Sequence, residues 1–259
     1  MIKFFRHIRQ SLIMKNKTGK PAFQTGRYFK YAIGEIVLVV IGILIALQIS
    51  NWNETRKLKQ QEIFYYCKIN EDLSNDLLNI ERSLATLNER QISTNRFLIN
   101  LLKIQEDKSV LLDDYLAAVR SYRFIPSKSA IIDITSSGKL ENLKNQDLKN
   151  AILNYYSELD NAIQIIEVNQ NLLTDSSRLI NYTDFGIQEV PFYRDSYSKE
   201  LQTLLKSVNW HRDPHHPIFI ALQDEMNLTI IVCEREKQLI NEMKKRAEDL
   251  IQKIEPFCF

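Results

Sequence analysis

Residues 31–52 of this 259-residue chain read YAIGEIVLVVIGILIALQISNW, and this stretch decides how the rest of the sequence is interpreted. From Ile36 to Leu47 no side chain is polar. A helix over the whole stretch would extend about 33 Å at 1.5 Å per residue, enough for a hydrocarbon core of about 30 Å. Tyr31 and Trp52 stand at its two ends, where aromatic rings favour the membrane interfaces. The sequence therefore predicts a transmembrane helix over residues 31–52.

A cleaved signal peptide is the main alternative for this apolar stretch. However, the basic region before it is about 30 residues long, and Ala46-Leu47-Gln48 is a poor match to a small-x-small cleavage site. We therefore expect an uncleaved anchor, with a buried core helix as the remaining alternative.

Charge is distributed unevenly along the chain. Residues 1–34 carry eight basic side chains and no acidic one, although the whole chain has a formal net charge of only +2. Because Lys and Arg are enriched on the cytoplasmic side of a span, we expect a basic cytoplasmic tail over residues 1–30 and residues 53–259 on the opposite side. A basic arm also suits nucleic acid, but the apolar segment that follows favours the lipid bilayer, and no nucleic-acid partner is expected.

Residues within the predicted span and in the basic tail before it suggest further functional features. Glu35 is either a functional carboxylate within the membrane or an interfacial one stabilised by the helix N-terminus and by Lys30 or Arg27. The Gly42-xxx-Ala46 pair is the spacing that lets two spans pack closely, so a homodimer is among the expected partners. In the tail, Phe5 and Ile8 share a helical face amid basic residues; either this helix lies on anionic lipid or the charges only set topology.

The sequence after the span favours helices. Residues 54–104 carry alternating three- and four-residue spacings, typical of a buried helical seam. The seam contains Ile63, Tyr66, Asn70, Leu73, Leu77, Ile80, Leu84, Leu87, Gln91, Thr94, Leu98 and Leu101. Because Gln91 and Thr94 are polar, a break is expected near them.

Further helices follow, and no stretch shows the alternation of a strand. We predict helices from Ser109, as cap, to about Tyr122, from Ser127 to Ser137 with Gly138 as C-terminal cap, from Asn145 or Asp147 onward, at about 199–208, and from Ile218 to Ile254. The fold class is therefore all-α, with one N-terminal transmembrane helix continuing into an antiparallel helical bundle.

Three cysteines, Cys67, Cys233 and Cys258, match no metal or redox spacing. One bridge between Cys67 and Cys233 is compatible with the sequence. The alternative is two buried thiols and an exposed terminal one.

Candidate chemistry is sparse. His211, Asp213, His215 and His216 are a possible zinc or copper ligand set, but Pro214 and Pro217 prevent a regular helical pair, so a polar loop before a helix is preferred. No hydrolase or nucleotide-binding motif is present in the sequence, and no cofactor is expected. The adjacent Asp113 and Asp114 are interpreted as a solvated helix face.

Three stretches resemble a family of small bacterial membrane proteins known only as a domain of unknown function. They are the start IKFFRHIRQ over residues 2–10, GEIVLVVIGILIALQISNWNE over 34–54, and IDITSSGKLENLKNQDLKNAILNYY over 132–156. The resemblance implies a bacterial inner membrane and a periplasmic helical domain over 53–259. It implies no catalytic residues. Ser50 departs from the asparagine expected there.

These observations favour a membrane-anchored helical protein without catalytic activity, which binds an envelope protein or itself. A periplasmic ligand sensor that signals through a partner is one alternative, with the aromatic side chains of residues 183–217 as a ligand rim. A periplasmic metal-binding protein is another.

Overall fold

A computed structural model describes residues 24–104, 106–120 and 123–258, with side chains from Tyr31 onward, and the regular elements it describes are all helices. The predicted amphipathic helix in the basic tail lies outside the described residues. The chain divides into two compact units, Met1–Leu58 and Lys59–Phe259. The cores described below belong to the second unit.

The two helices predicted over 31–52 and 54–104 form one α-helix, α1 (Gln24–Leu102). By length and composition its apolar part is able to cross a membrane, and none of that apolar window is buried. In the second unit, most side chains of the predicted seam are buried or half-buried, from Tyr66 to Leu101. The predicted break near Gln91 is wrong. The Lys237 ammonium donates to the Gln91 side chain, and the Thr94 hydroxyl donates to the Arg90 carbonyl at 2.7 Å, so both polar groups are satisfied within an unbroken helix.

Three α-helices follow the first: α2 (Ser109–Val119), α3 (Ser129–Ser136) and the long α4 (Gln146–Ser177). Asn145 caps α4, because its side-chain oxygen accepts the Leu148 N–H. Gly138 follows α3 with a left-handed φ of 69°, as a C-terminal cap requires. Ser109 is not a cap: it is the first residue of α2, and its N–H donates to the Asp107 carboxylate at 2.8 Å.

Residues 178–216 form short helices, and a long helix follows them. The short ones are α5 (Tyr182–Phe185), α6 (Pro191–Arg194) and α7 (Lys199–Leu204), with 3-10 turns at Ile187–Glu189 and Trp210–Arg212. Then α8 (Pro217–Ile254) begins with Pro217 at its first position, where a missing N–H costs nothing.

The first core contains side chains from α1, α3, α4 and α8, and α4 packs along α8. Leu73, Ile152 and Ala247 are fully buried representatives of the three long helices. Each fully buried leucine or isoleucine contributes about 1.5–3 kcal/mol. The long amphipathic helices are thus stabilised by burial of one apolar face each.

A second core contains side chains from the end of α1, from α2, from residues 180–210 and from the start of α8. The Phe185 and Trp210 rings stack 5.4 Å apart, and the indole N–H donates to the Phe185 carbonyl at 2.9 Å. The Lys108 ammonium forms an ion pair with the Glu189 carboxylate at 2.9 Å. The Lys108 side chain also lies close to Gly186, whose φ of 101° favours glycine. Ile180, Phe185, Val190 and Trp210 therefore pack with side chains of the long helices α1 and α8.

The cysteine pairing differs from both sequence alternatives. Cys67 and Cys258 form a disulfide with a Cα–Cα distance of 5.3 Å, and Cys233 is a buried free thiol. Cys67 lies on α1, and Cys258 follows a 3-10 turn, Glu255–Phe257, at the end of α8. A bridge between Cys67 and Cys233 is therefore wrong, because packing of α8 brings the C-terminal cysteine to α1.

Candidate functional site

The histidine-rich segment, residues 211–216, leads into α8 and supplies its N-terminal cap. The His216 Nδ1 accepts the Ile218 N–H at 3.2 Å and caps α8, and the Asp213 carboxylate accepts the His215 N–H at 2.9 Å. His211 is only 3% exposed, its Nε2 donates to the Glu106 carbonyl at 3.3 Å, and burial lowers the pKa of its imidazole. Among the described residues, no three His, Cys, Asp or Glu side chains are grouped so that they could hold a metal ion.

The aromatic side chains of residues 183–217 do not form one rim. Phe185 and Trp210 belong to the second core, whereas Phe192 is 75% exposed and Tyr197 is half-buried. The sequence could not separate these roles, because aromatic side chains are equally suited to a core and to a binding surface.

Seven large apolar side chains are exposed between residues 179 and 208, on the short helices and in the segments beside them. We call this surface the apolar rim; it consists of Leu179, Tyr182, Phe192, Tyr193, Leu201, Leu204 and Val208. Hydrogen bonds hold it in place: the Gln202 amide donates to the Arg194 and Tyr197 carbonyls, both at 2.9 Å, and the Val208 N–H donates to Asp184. Exposed apolar surface of this kind is typical of a site that binds another protein.

Two aspartates on α1 form a buried polar cluster that the sequence did not reveal. Asp72 accepts the Ser129 hydroxyl and the Ala130 N–H, both at 2.8 Å, and so caps α3. Asp76 accepts the Ser127 N–H at 2.6 Å and the Tyr155 hydroxyl at 3.4 Å, and burial raises its pKa to about 6. Their four-residue spacing places both aspartates on one helix face, and this was the only sequence feature that indicated the cluster. Both carboxylates position a loop, so we assign them a structural role.

Further ionisable groups lie inside the domain near Arg90, which donates to the Ala118 carbonyl at 2.6 Å. Burial raises the pKa of Glu225 to about 7, and Glu225 accepts the Tyr115 hydroxyl at 3.4 Å. Glu236 accepts the Gln170 amide at 2.8 Å, and burial raises the pKa of its carboxyl as well. Arg90, Glu225 and Glu236 are buried in the domain interior, so we assign them a structural role in the folded domain.

The solvated interpretation of the adjacent acids is wrong for one of them. Asp114 is buried, and its carboxylate accepts a hydrogen bond from the Arg96 Nε–H at 2.7 Å. Asp113, by contrast, is exposed. The pairing brings the end of α1 to α2, which no local spacing in the sequence indicates.

The four residues singled out in the apolar segment, Glu35, Gly42, Ala46 and Trp52, are exposed on α1. A Cβ added at Gly42 would meet nothing within 4 Å, so its backbone is open to close approach by another helix.

The profile of a family of unknown function, DUF6090, matches residues 35–179, more than half of the chain. No curated protein and no solved structure was found to match.

Proposed function

The chain belongs to DUF6090, a family of unknown function, and we propose that it is an anchored protein of the bacterial envelope that binds other proteins and catalyses no reaction. On this proposal residues 31–52 span the inner membrane, residues 1–30 are cytoplasmic, and residues 53–259 form an antiparallel helical bundle in the periplasm.

The apolar rim is the main support for the proposed protein-binding function. Leu179 is 77% exposed, Phe192 75% and Leu204 68%, within one segment of 26 residues. A soluble domain gains stability by burying such side chains, so a large exposed group of them favours a surface that a partner covers. Aromatic and leucine side chains also supply the central contacts of protein interfaces.

The disulfide supports the proposed compartment. Structural disulfides form and persist in oxidising compartments such as the bacterial periplasm and are rare in the cytosol. Cys67 and Cys258 are half-buried at one end of the domain, where a bridge between them joins α1 to the C-terminus. The basic tail supports the same orientation, since positive residues are retained in the cytoplasm.

Site-specific photocrosslinking in living cells tests the binding function. The full chain carries a benzoylphenylalanine at Phe192, in the apolar rim, or at Ile231 on α8 as a matched exposed control. We expect a discrete, high-yield adduct from position 192 and none from position 231. The adduct should disappear when Leu204→Asp is added, because a carboxylate in the interface would be desolvated.

Equal adducts from both positions, or none from position 192, would contradict the binding function. An adduct of twice the chain mass would identify the partner as a second copy of this chain.

A further inference from the structure

A cleft of about 380 Å³ opens in the second unit, at the end of the domain that carries the disulfide. Its walls include Lys59, Glu62, Ile63 and Tyr66 from α1, Lys144 from the loop before α4, and Phe257 from the C-terminal turn. The cleft is separate from the apolar rim and from the histidine-rich segment.

The walls of the cleft are held in place. One Glu62 carboxylate oxygen accepts the Lys144 backbone N–H at 2.6 Å and the Tyr66 hydroxyl at 3.0 Å. The Phe257 ring packs 5.4 Å from the Tyr66 ring, and the residues that follow these two, Cys67 and Cys258, are disulfide-bonded. A preformed cleft loses little entropy when it takes up a ligand.

The cleft combines positive charge with apolar surface. The Lys144 ammonium donates to the Glu141 carbonyl at 3.1 Å, and among the described residues neither it nor the Lys59 ammonium has a carboxylate within 4.0 Å. Glu62 is the carboxylate among the lining residues, and its oxygen already accepts hydrogen bonds from the Lys144 N–H and the Tyr66 hydroxyl. Two lysines that line the cleft together with Ile63 and Phe257 suit a phosphate that carries carbon substituents.

The sequence limits where such a phosphate can come from. Lys59 lies only seven positions after Trp52, the aromatic residue at the end of the apolar segment. A chain of seven residues extends at most about 25 Å, whatever its conformation. If residues 31–52 span a bilayer, as the proposed function requires, Lys59 is tethered within about 25 Å of the bilayer surface at Trp52.

We propose that this cleft binds the headgroup of an anionic phospholipid, of the phosphatidylglycerol class, from the bilayer that holds the anchor. Lys59 and Lys144 contact the phosphate, and Ile63 and Phe257 contact the glycerol carbons. The inference rests on the proposed anchor and deepens it, since the domain then holds a lipid at a defined site.

Photocrosslinking in vesicles tests the site with the full chain. The vesicles contain phosphatidylcholine and an alkyne-tagged phosphatidylglycerol, and benzoylphenylalanine replaces Ile63 in the cleft or its neighbour Phe64, which does not line it. We expect lipid adducts from position 63 at least five times as abundant as those from position 64. Because each lysine near a lipid surface strengthens binding about fivefold, Lys59→Gln together with Lys144→Gln should weaken lipid binding by about 25-fold and reduce the adduct accordingly.

Controls distinguish a defined lipid site from nonspecific labelling and from a site for free phosphate. The exposed Lys253→Gln, near the same chain end, should leave the adduct unchanged, and an intact disulfide on a non-reducing gel shows that each variant folds. Equal labelling at position 64, equal labelling by tagged phosphatidylcholine, or persistence in the double variant would overturn the proposal. Loss of the adduct in millimolar inorganic phosphate would also overturn it and assign the cleft to free phosphate.

The same preparation distinguishes failure of the site from failure of the anchor. A chain that resists alkaline carbonate extraction but gives no adduct contradicts only the lipid site. A chain that carbonate extracts contradicts the proposed anchor itself.

Discussion

Asp76 shows how a single buried side chain sets the pH response of the domain. Its carboxylate is fully buried, and burial raises its pKa from an ordinary 3.8 to about 6. The folded protein therefore holds this proton more tightly than the unfolded chain does. The resulting stabilisation is present below about pH 4 and is lost as the pH rises through 6. Glu225, with a pKa raised to about 7, acts in the same direction.

We predict that Asp76→Asn reduces the pH dependence of folding. The amide oxygen still accepts the Ser127 N–H, but no charge has to be desolvated at neutral pH. Between pH 8 and pH 5 the wild-type free energy of unfolding should rise by about 1–2 kcal/mol more than that of the variant. Denaturant titration of the full chain in detergent at both pH values measures this difference. The exposed Asp224→Asn is the control, and an unchanged difference in Asp76→Asn would contradict the role of Asp76.

At the scale of elements, α3 depends on a cap from outside itself. Lys108 and Lys128 precede α2 and α3 without a capping side chain. In α3 the Ala130 N–H and the Ser129 hydroxyl donate instead to Asp72 on α1. A helix of eight residues is too short to be stable alone, so this contact and burial of Ile131 and Ile134 maintain it.

We predict that Asp72→Ala opens α3 locally. The substitution leaves the Ala130 N–H and the Ser129 hydroxyl without their acceptor, which costs about 1–3 kcal/mol for a buried donor. Hydrogen exchange followed by mass spectrometry should show faster exchange at residues 129–136 and unchanged exchange in α8. Asp72→Asn retains one acceptor oxygen and should lose less protection; equal protection in wild type and Asp72→Ala would exclude the remote cap.

Sequence patterns predicted the elements better than their interactions. The seam of α1, the start of α4 at Asn145 or Asp147 and the Gly138 cap were all predicted, because each depends on residues a few positions apart. The break at Gln91 was wrong because its partner, Lys237, lies 146 residues away. The caps supplied by Asp72 and the burial of Asp114 were missed for the same reason.

In the molecule as a whole, the disulfide links the first and last helices of the second unit. It joins residues 191 positions apart and fixes the C-terminal turn to α1. The sequence predicted an apolar anchor segment and a helical domain, but three cysteines allow several pairings, and only tertiary packing selects one. Which aromatic side chains form the apolar rim was likewise undetermined before the short helices were placed.

We predict that reduction of this disulfide destabilises the domain by about 3–5 kcal/mol, because the open chain gains conformational entropy when it unfolds. The melting temperature of the full chain in detergent should fall when a reductant is added. Cys67→Ser with Cys258→Ser should melt at the lower temperature with and without reductant. A reductant effect that persists in this double variant would show that the bridge is not its cause.

We propose an anchored chain whose disulfide-bonded domain faces an oxidising compartment, and thiol labelling in cells tests this arrangement. A Cys233→Ala chain, which retains only Cys67 and Cys258, is expressed in a bacterial host, and its thiols are trapped by acid and alkylated with a polyethylene glycol maleimide. We predict no gel shift in untreated cells and two alkylated cysteines after spheroplasts are treated with a membrane-impermeant reductant. Two alkylated cysteines in untreated cells, or none after the impermeant reductant, would contradict this arrangement.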